Sequence, residues 1–219
     1  MPRLLFEKKG NAVWISHLDL MRLFQRAFKR AGLKLTHTQG FNPRPSVSIA
    51  LPLSVGIESA CELLDFDLDG EPIPVGEIAS RLNPCLVDGV GVLDVYEKGR
   101  KLRDLSLLSC SVFLEYDNGV PAGAEAAIRE LFSRDELIVS RKTKSGMQDQ
   151  NIVSMIRRMD LGAEGDHMIR MNALICCQNP SLNPGQISQA VQLYLPQFAP
   201  DFSRCVRNEI YDNDETVFR

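Results

Sequence analysis

The residues with the clearest chemical potential lie between positions 16 and 46, where basic side chains run into a loop of polar, aromatic and proline residues. This stretch holds six Lys or Arg and one acid, Asp19, so its local charge is +5 in a chain whose net charge is −3. Such segregation argues against a basic coat over the whole surface and for one local basic surface. The residues predicted to neutralise phosphates are Arg22, Arg26, Lys29, Arg30 and Lys34.

The segment QGFNPRP at 39–45 adds side chains of the types that recognise nucleic-acid bases. It combines an aromatic ring, a fork-shaped guanidinium and two amides on a backbone restrained by prolines, which are the groups used to recognise unpaired RNA. The predicted contacts here are His37, Gln39, Phe41, Asn42 and Arg44. The alternative is a rigid connector in which Phe41 fills the core, since polar proline-rich turns are common.

His17 is the one candidate for acid or base chemistry. It follows the predicted N-cap Ser16, where the positive end of the helix dipole favours a neutral imidazole and attracts an anion. The alternative is a histidine packed beside Phe24 or Phe28. The three histidines and six cysteines lack metal-site spacing, and the common cofactor motifs are absent, so we expect neither metal nor cofactor.

These residues depend on a helix predicted over 17–31. Ser16 and Asp19 resemble a capping box, and Gly32 is a typical stop. At 100° per residue the helix has an apolar side and a cationic side. The residues predicted to be buried are Leu20, Phe24, Ala27 and Phe28.

The 219 residues are 44% hydrophobic, enough to bury a full core in one large domain or two small ones. In the first half we expect a strand or hairpin within 3–15, strands at 46–55, 61–69 and 86–97, and a helix at 74–82. In the second half we expect strands at 108–116, 136–143, 151–159, 167–177 and 203–211, and helices near 122–133 and 184–195.

Both halves thus follow the order β-α-β-β-α-β. The predicted fold class is α+β, tandem ferredoxin-like, with antiparallel sheets that carry helices on one face. The predicted domains are 1–100 and 101–219, divided in the charged stretch near 98–106. Without an apolar span or signal segment, the protein is expected to be cytoplasmic and not a membrane protein.

A weaker cationic set lies in the second half, and solvated strand faces explain it equally well. Its members are Arg141, Lys142, Lys144, Arg157, Arg158 and Arg170.

Residues 6–68 contain four dense sequence blocks: SHLDLMR, RA..RAG, QGFNPRP and LP..VGIES. Through these blocks the segment strongly resembles the radical SAM-linked protein family, a bacterial domain of unknown function. Members occur fused or adjacent to radical SAM proteins, so the resemblance implies a radical SAM partner encoded nearby. The chain lacks the C-x-x-x-C-x-x-C motif and is not expected to be the radical enzyme itself.

Three functions follow as expectations. The first is an accessory protein that binds a structured or tRNA-like RNA and presents it to the radical SAM enzyme. The second is a metal-independent endoribonuclease that uses His17, by analogy with the CRISPR repeat-processing endoribonucleases, although their glycine-rich C-terminal loop is missing. The third is a protein-interaction module whose basic side meets an acidic partner.

Overall fold

A computed structural model describes residues 1–143 and 146–219, and these residues form an α+β fold with many strands and four α-helices. The chain divides into two compact units. The first consists of Met1–Asp104 with Phe218–Arg219, and the second of Leu105–Val217. None of the helices in the described residues has the length and apolarity needed to span a bilayer.

The first unit is a four-stranded sheet with two α-helices. Its strands are β1 (Arg3–Lys8), β2 (Val47–Ile49), β3 (Ile57–Phe66) and β4 (Val90–Tyr96), and its helices are α1 (His17–Arg30) and α2 (Val75–Leu82). The strand order is β4-β1-β3-β2, and every neighbouring pair is antiparallel.

The core of the first unit lies between α1, α2 and the sheet. The ring of Phe24 meets Phe6 of β1 edge-on, with centroids 4.7 Å apart, and Phe28 lies 5.1 Å from Phe66 of β3. Ile78 of α2 joins the same buried cluster, so both helices cover one face of the sheet. The predicted burial of the apolar side of α1 is confirmed for Leu20, Phe24, Ala27 and Phe28.

Both ends of α1 follow the predicted capping signals. The Ser16 hydroxyl accepts a hydrogen bond from the Asp19 amide at 3.2 Å and donates one to its carboxylate at 2.7 Å. Gly32 has a φ of +69°, and the Leu33 amide donates to the Phe28 carbonyl at 2.9 Å. That closing pattern is a Schellman motif, which places the start of the following segment.

The second unit also has a four-stranded sheet, to which a separate hairpin is added. Its elements are β5 (Leu107–Glu115), α3 (Ala124–Phe132), β6 (Ile138–Thr143), β7 (Gly146–Asn151), β8 (Ile156–Ala163), β9 (Met168–Cys176), α4 (Gly185–Tyr194) and β10 (Phe202–Tyr211). The sheet order is β10-β5-β9-β8, again antiparallel throughout, while β6 pairs with β7.

Two predicted segments form shorter strands than expected, and one strand was missed. Within 3–15 the strand alternative holds as β1 and the hairpin does not form, because residues Gly10–Trp14 make a 3-10 turn instead. The buried Lys8 ammonium stabilises that turn by donating to the carbonyls of Val13 and Ile15. The predicted strand at 46–55 shrinks to β2, and β7 was missed because its polar, mostly exposed residues show no apolar alternation.

Candidate nucleic-acid interface

The basic face of α1 consists of Arg22, Arg26, Lys29 and Arg30, all of which are exposed. Arg22 pairs with Asp19 at 2.9 Å, and Arg30 donates to the Cys85 carbonyl at 3.4 Å. Within the described part of the chain, the side chains of Arg26 and Lys29 form no hydrogen bond and no ion pair, and Asp19 attracts Arg26 only at longer range. The basic face therefore offers two free cations.

Asp19 is the acid at the start of this face. The Ser16 hydroxyl, and after it Arg22, lowers the pKa of the Asp19 carboxyl below its ordinary value. Asp19 therefore stays charged and holds Arg22 toward the N-terminus of α1. The free cations lie in the other half of the helix.

Lys34 is held by an acid that is distant in sequence. Its ammonium lies 2.5 Å from the Asp69 carboxylate, and both side chains are exposed. The hydrogen bond to Asp69 raises the pKa of Lys34, and the same bond lowers the pKa of Asp69. Lys34 is thus already partly neutralised within its own unit.

A cleft of about 470 Å³ opens beside the C-terminal half of α1. It is lined by Gln25 and Lys29, by residues 32–35, and by His37 and Pro45. Leu33 and Leu35 are buried, whereas the cationic and imidazole groups are exposed. The cleft therefore combines apolar surface with positive charge.

The aromatic loop, residues 38–44, projects from the same region. Its neck is closed where the Thr38 amide donates to the Arg44 carbonyl at 2.8 Å and the Arg44 amide donates to the Thr38 hydroxyl at 3.0 Å. Phe41 is fully exposed, so the alternative in which it fills the core is wrong. Gln39 and Asn42 are exposed as well.

The structure does not bring His17 to the cleft. Twelve residues separate it from Lys29, which corresponds to about 18 Å along a helix. His17 is half-buried, and its Nδ1 atom is buried without a hydrogen-bond partner. In the described residues, no group of three or more His, Cys, Asp or Glu side chains is placed to hold a metal ion.

The four arginines of the second cationic set make contacts within their own unit. Arg158 pairs with Glu215, and Arg157 donates to Asn213 at 2.8 Å. Arg170 donates to Asn172 at 2.9 Å. Arg141 donates to the Ser181 carbonyl at 3.4 Å. The side chain of Lys142 and the whole of Lys144 lie outside the described part of the chain. These contacts are typical of a solvated strand surface and do not point to a second interface.

Several residues of the site were missed from the sequence. Gln25 lies four residues before Lys29, so helical spacing alone placed both on one side of α1. Leu33 and Leu35 carried no signal of their own, because their role comes from the path of the chain after Gly32. Pro45 belonged to the predicted segment at 39–45 but was not named as a contact.

The fold and the site together describe an α+β protein with a local basic cleft and an exposed aromatic loop. Residues 2–184 match the family described as "Uncharacterized protein conserved in bacteria (DUF2344)", and the chain belongs to that family. No curated protein matches the chain in sequence.

Among solved structures, the chain is similar to one in the "Crystal Structure of a Cbf5-Nop10-Gar1 Complex", with a TM-score of 0.52, 7% identity, and coverage of 98% of this chain and 50% of that one. A chain in the "Crystal structure of the archaeal box H/ACA sRNP Nop10-Cbf5 complex" gives a TM-score of 0.44, 8% identity, and coverage of 94% and 46%. Our chain spans about half the length of both. At these identities the first likeness concerns the fold alone.

Proposed function

We propose that the protein binds RNA through the basic face of α1, the cleft and the aromatic loop. The observation that carries this proposal is the pair of free cations, Arg26 and Lys29, beside the cleft. Like charges at i and i+4 repel one another along a helix, as Arg22 and Arg26 do, and bound phosphates would relieve that repulsion. RNA phosphates are the anions that such a row of cations suits.

We further propose that each unit, Met1–Asp104 with Phe218–Arg219 and Leu105–Val217, is a ferredoxin-like domain; these bounds replace the predicted division into 1–100 and 101–219. In both units the sheet places the fourth strand beside the first, then the third, then the second, once the hairpin of β6 and β7 is set aside. That order, with antiparallel neighbours, is what a β-α-β-β-α-β chain gives in the split βαβ arrangement.

The RNA proposal is tested by the double variant Arg26→Gln, Lys29→Gln. Each phosphate contact contributes about 0.7–0.9 to the slope of log affinity against log salt, so the slope should fall by about 1.4–1.8. Filter binding at several salt concentrations measures it. Folding stability should hold or rise slightly, because a like-charge repulsion is removed from an exposed surface.

The matched control is Lys98→Gln, Lys101→Gln, which removes the same two charges from exposed positions of the first unit. Its slope should equal that of the wild type. If the double variant on α1 instead keeps wild-type affinity and slope, the basic face is only a solvated helix surface.

The proposed partner is a radical SAM enzyme encoded nearby, to which this protein presents the RNA. Support for the partner comes from the resemblance of residues 6–68 alone. Reconstitution tests it: RNA should be modified faster when both proteins are present than with the enzyme alone. Equal rates would remove the presenting role and leave RNA binding untouched.

A protein-interaction module is the second candidate, and exposed apolar side chains on the first unit favour it. Trp14, Leu18 and Val55 are 68%, 66% and 50% exposed. Solitary exposed apolar residues are ordinary, but large ones that lie close together on the surface occur at contact sites. The Gly56 amide, next to Val55, donates to the Val13 carbonyl, next to Trp14, at 2.9 Å. Binding to RNA with the expected salt slope separates this candidate from the first.

A further inference from the structure

We infer that the ligand of this interface is an unpaired stretch of RNA, with one nucleotide seated in the cleft and Phe41 stacked on a neighbouring base. The inference rests on the proposed RNA-binding function and names the class of RNA. Two features support it, and binding of phosphates alone would require neither. They are the composition of the cleft and the exposure of Phe41 at the tip of the aromatic loop.

The cleft has the size and chemistry for one nucleotide. Its volume of about 470 Å³ falls within the range of small-molecule pockets, which is roughly 300–1,000 Å³. Pro45 and the carbon stem of Lys29 line the cleft together with Leu33 and Leu35, which are 1% and 7% exposed, and the Lys29 ammonium offers a charge to the phosphate. Among the described residues Gln25 has no side-chain hydrogen bond, so its amide is free to donate and accept at a base edge.

The aromatic loop holds the Phe41 ring in solvent, away from the rest of the protein, where a partner could contact it. The two hydrogen bonds between Thr38 and Arg44 fix the neck of the aromatic loop, and Pro43 restricts the backbone beyond the tip. The ring is fully exposed, which leaves both of its faces open for stacking. Stacking on a phenyl ring needs a base whose own face is open.

Base pairing would prevent both contacts, the stacking of a base on Phe41 and the seating of a base in the cleft. In a duplex the faces of the bases are stacked on one another, and the groove of A-form RNA that carries most sequence information is too narrow for side chains. A paired RNA therefore meets the cations of the basic face but neither Phe41 nor the cleft. Unpaired loops, bulges and ends meet all three.

The test compares one RNA in two states. A hairpin with 2-aminopurine in its loop is titrated with the full chain, and the same strand is then titrated after a complementary strand has paired every base. We expect the unpaired form to bind at least about tenfold tighter, and the fluorescence of 2-aminopurine to change on binding. Phe41→Ala should weaken binding of the hairpin by about 5- to 150-fold, the affinity equivalent of one stacked base, and leave the duplex unaffected.

Phe202→Ala is the matched control, since Phe202 is an exposed phenylalanine of the second unit, 56% accessible. It should bind both RNAs as the wild type does. Gln25→Ala should weaken hairpin binding by about 2- to 12-fold without changing the salt slope, because a neutral hydrogen bond releases no counterions. Circular dichroism melts confirm that each variant is folded.

Equal affinity for paired and unpaired RNA would overturn the inference and leave the proposed function standing. A preference for unpaired RNA that survives Phe41→Ala would overturn it as well. Failure to bind either RNA would refute both the inference and the proposed function. Binding of an acidic protein in place of RNA would have the same consequence.

Discussion

Replacing Asp69 by Asn tests whether Lys34 belongs to the proposed RNA interface. In the folded protein the Lys34 ammonium lies 2.5 Å from the Asp69 carboxylate, and this carboxylate competes with any phosphate for the same cation. Asn keeps the shape and an oxygen acceptor but removes the charge. The backbone contact from the Asp69 amide to the Lys34 carbonyl, 2.8 Å long, does not depend on the side chain.

The expected magnitude follows from one released cation. Freed from Asp69, Lys34 makes one full phosphate contact, so the slope of log affinity against log salt should steepen by about 0.7–0.9. Affinity at low salt should rise accordingly. Folding stability should change little, because the side chains of Lys34 and Asp69 are 77% and 50% exposed and water screens their attraction.

Filter binding across a salt series measures the slope, with Glu77→Gln as the matched control. Glu77 pairs with Arg81 on α2 at 2.7 Å, so this control also frees one arginine and changes the net charge equally, away from the cleft. We expect the control to keep the wild-type slope. If both variants steepen the slope equally, RNA responds to net charge alone. If neither does, Lys34 is not part of the interface.

Three further predictions concern the core, the thiols and His17. Phe24→Ala should lower the free energy of unfolding by about 3–5 kcal/mol in urea titrations, because a fully buried ring is removed; little loss would mean that the helix repacks. Burial raises the pKa of Cys110 to about 12 and that of Cys205 to about 11, from 9.0. The folded state therefore holds these protons more tightly than the unfolded state does. The free energy of unfolding should not depend on these thiols below pH 9, and above pH 9 it should fall by up to about 1.4 kcal/mol per pH unit for each thiol. The double Cys→Ala variant should lose this pH dependence. Purified protein should give no specific RNA cleavage; a reproducible cut that His17→Ala slows by about 10²–10⁴-fold would instead favour the nuclease.

Helix α1 was predictable because all of its signals are local. The cap at Ser16, the apolar spacing and the stop at Gly32 lie within 17 residues of one another, and the structure uses each of them. The strand ends were less predictable for the opposite reason. Leu51 and Leu53 are buried although they lie outside any strand, so apolar alternation there reports burial and not backbone pairing.

The aromatic loop shows the same limit in another form. Its composition suggested equally a reader of bases and a connector with Phe41 in the core. The choice depends on where the chain turns, which the contacts between Thr38 and Arg44 decide. Hydrogen bonds of that kind join residues that show no periodic pattern, so residue types alone do not predict them.

The charge of the site depends on which acids and backbone carbonyls contact its basic side chains. Counting charges along the sequence does not identify these partners. Three of the five predicted phosphate ligands have partners in their own unit: Arg22, Arg30 and Lys34. Asp69 is 35 residues from its lysine, so only the fold reveals that pair. The two cations that remain free, Arg26 and Lys29, lie in the C-terminal half of α1, next to the cleft and away from His17. Phosphates drawn to these cations would lie beside the aromatic loop and His37 and far from His17, so this geometry does not support the hypothesis of a nuclease that uses His17.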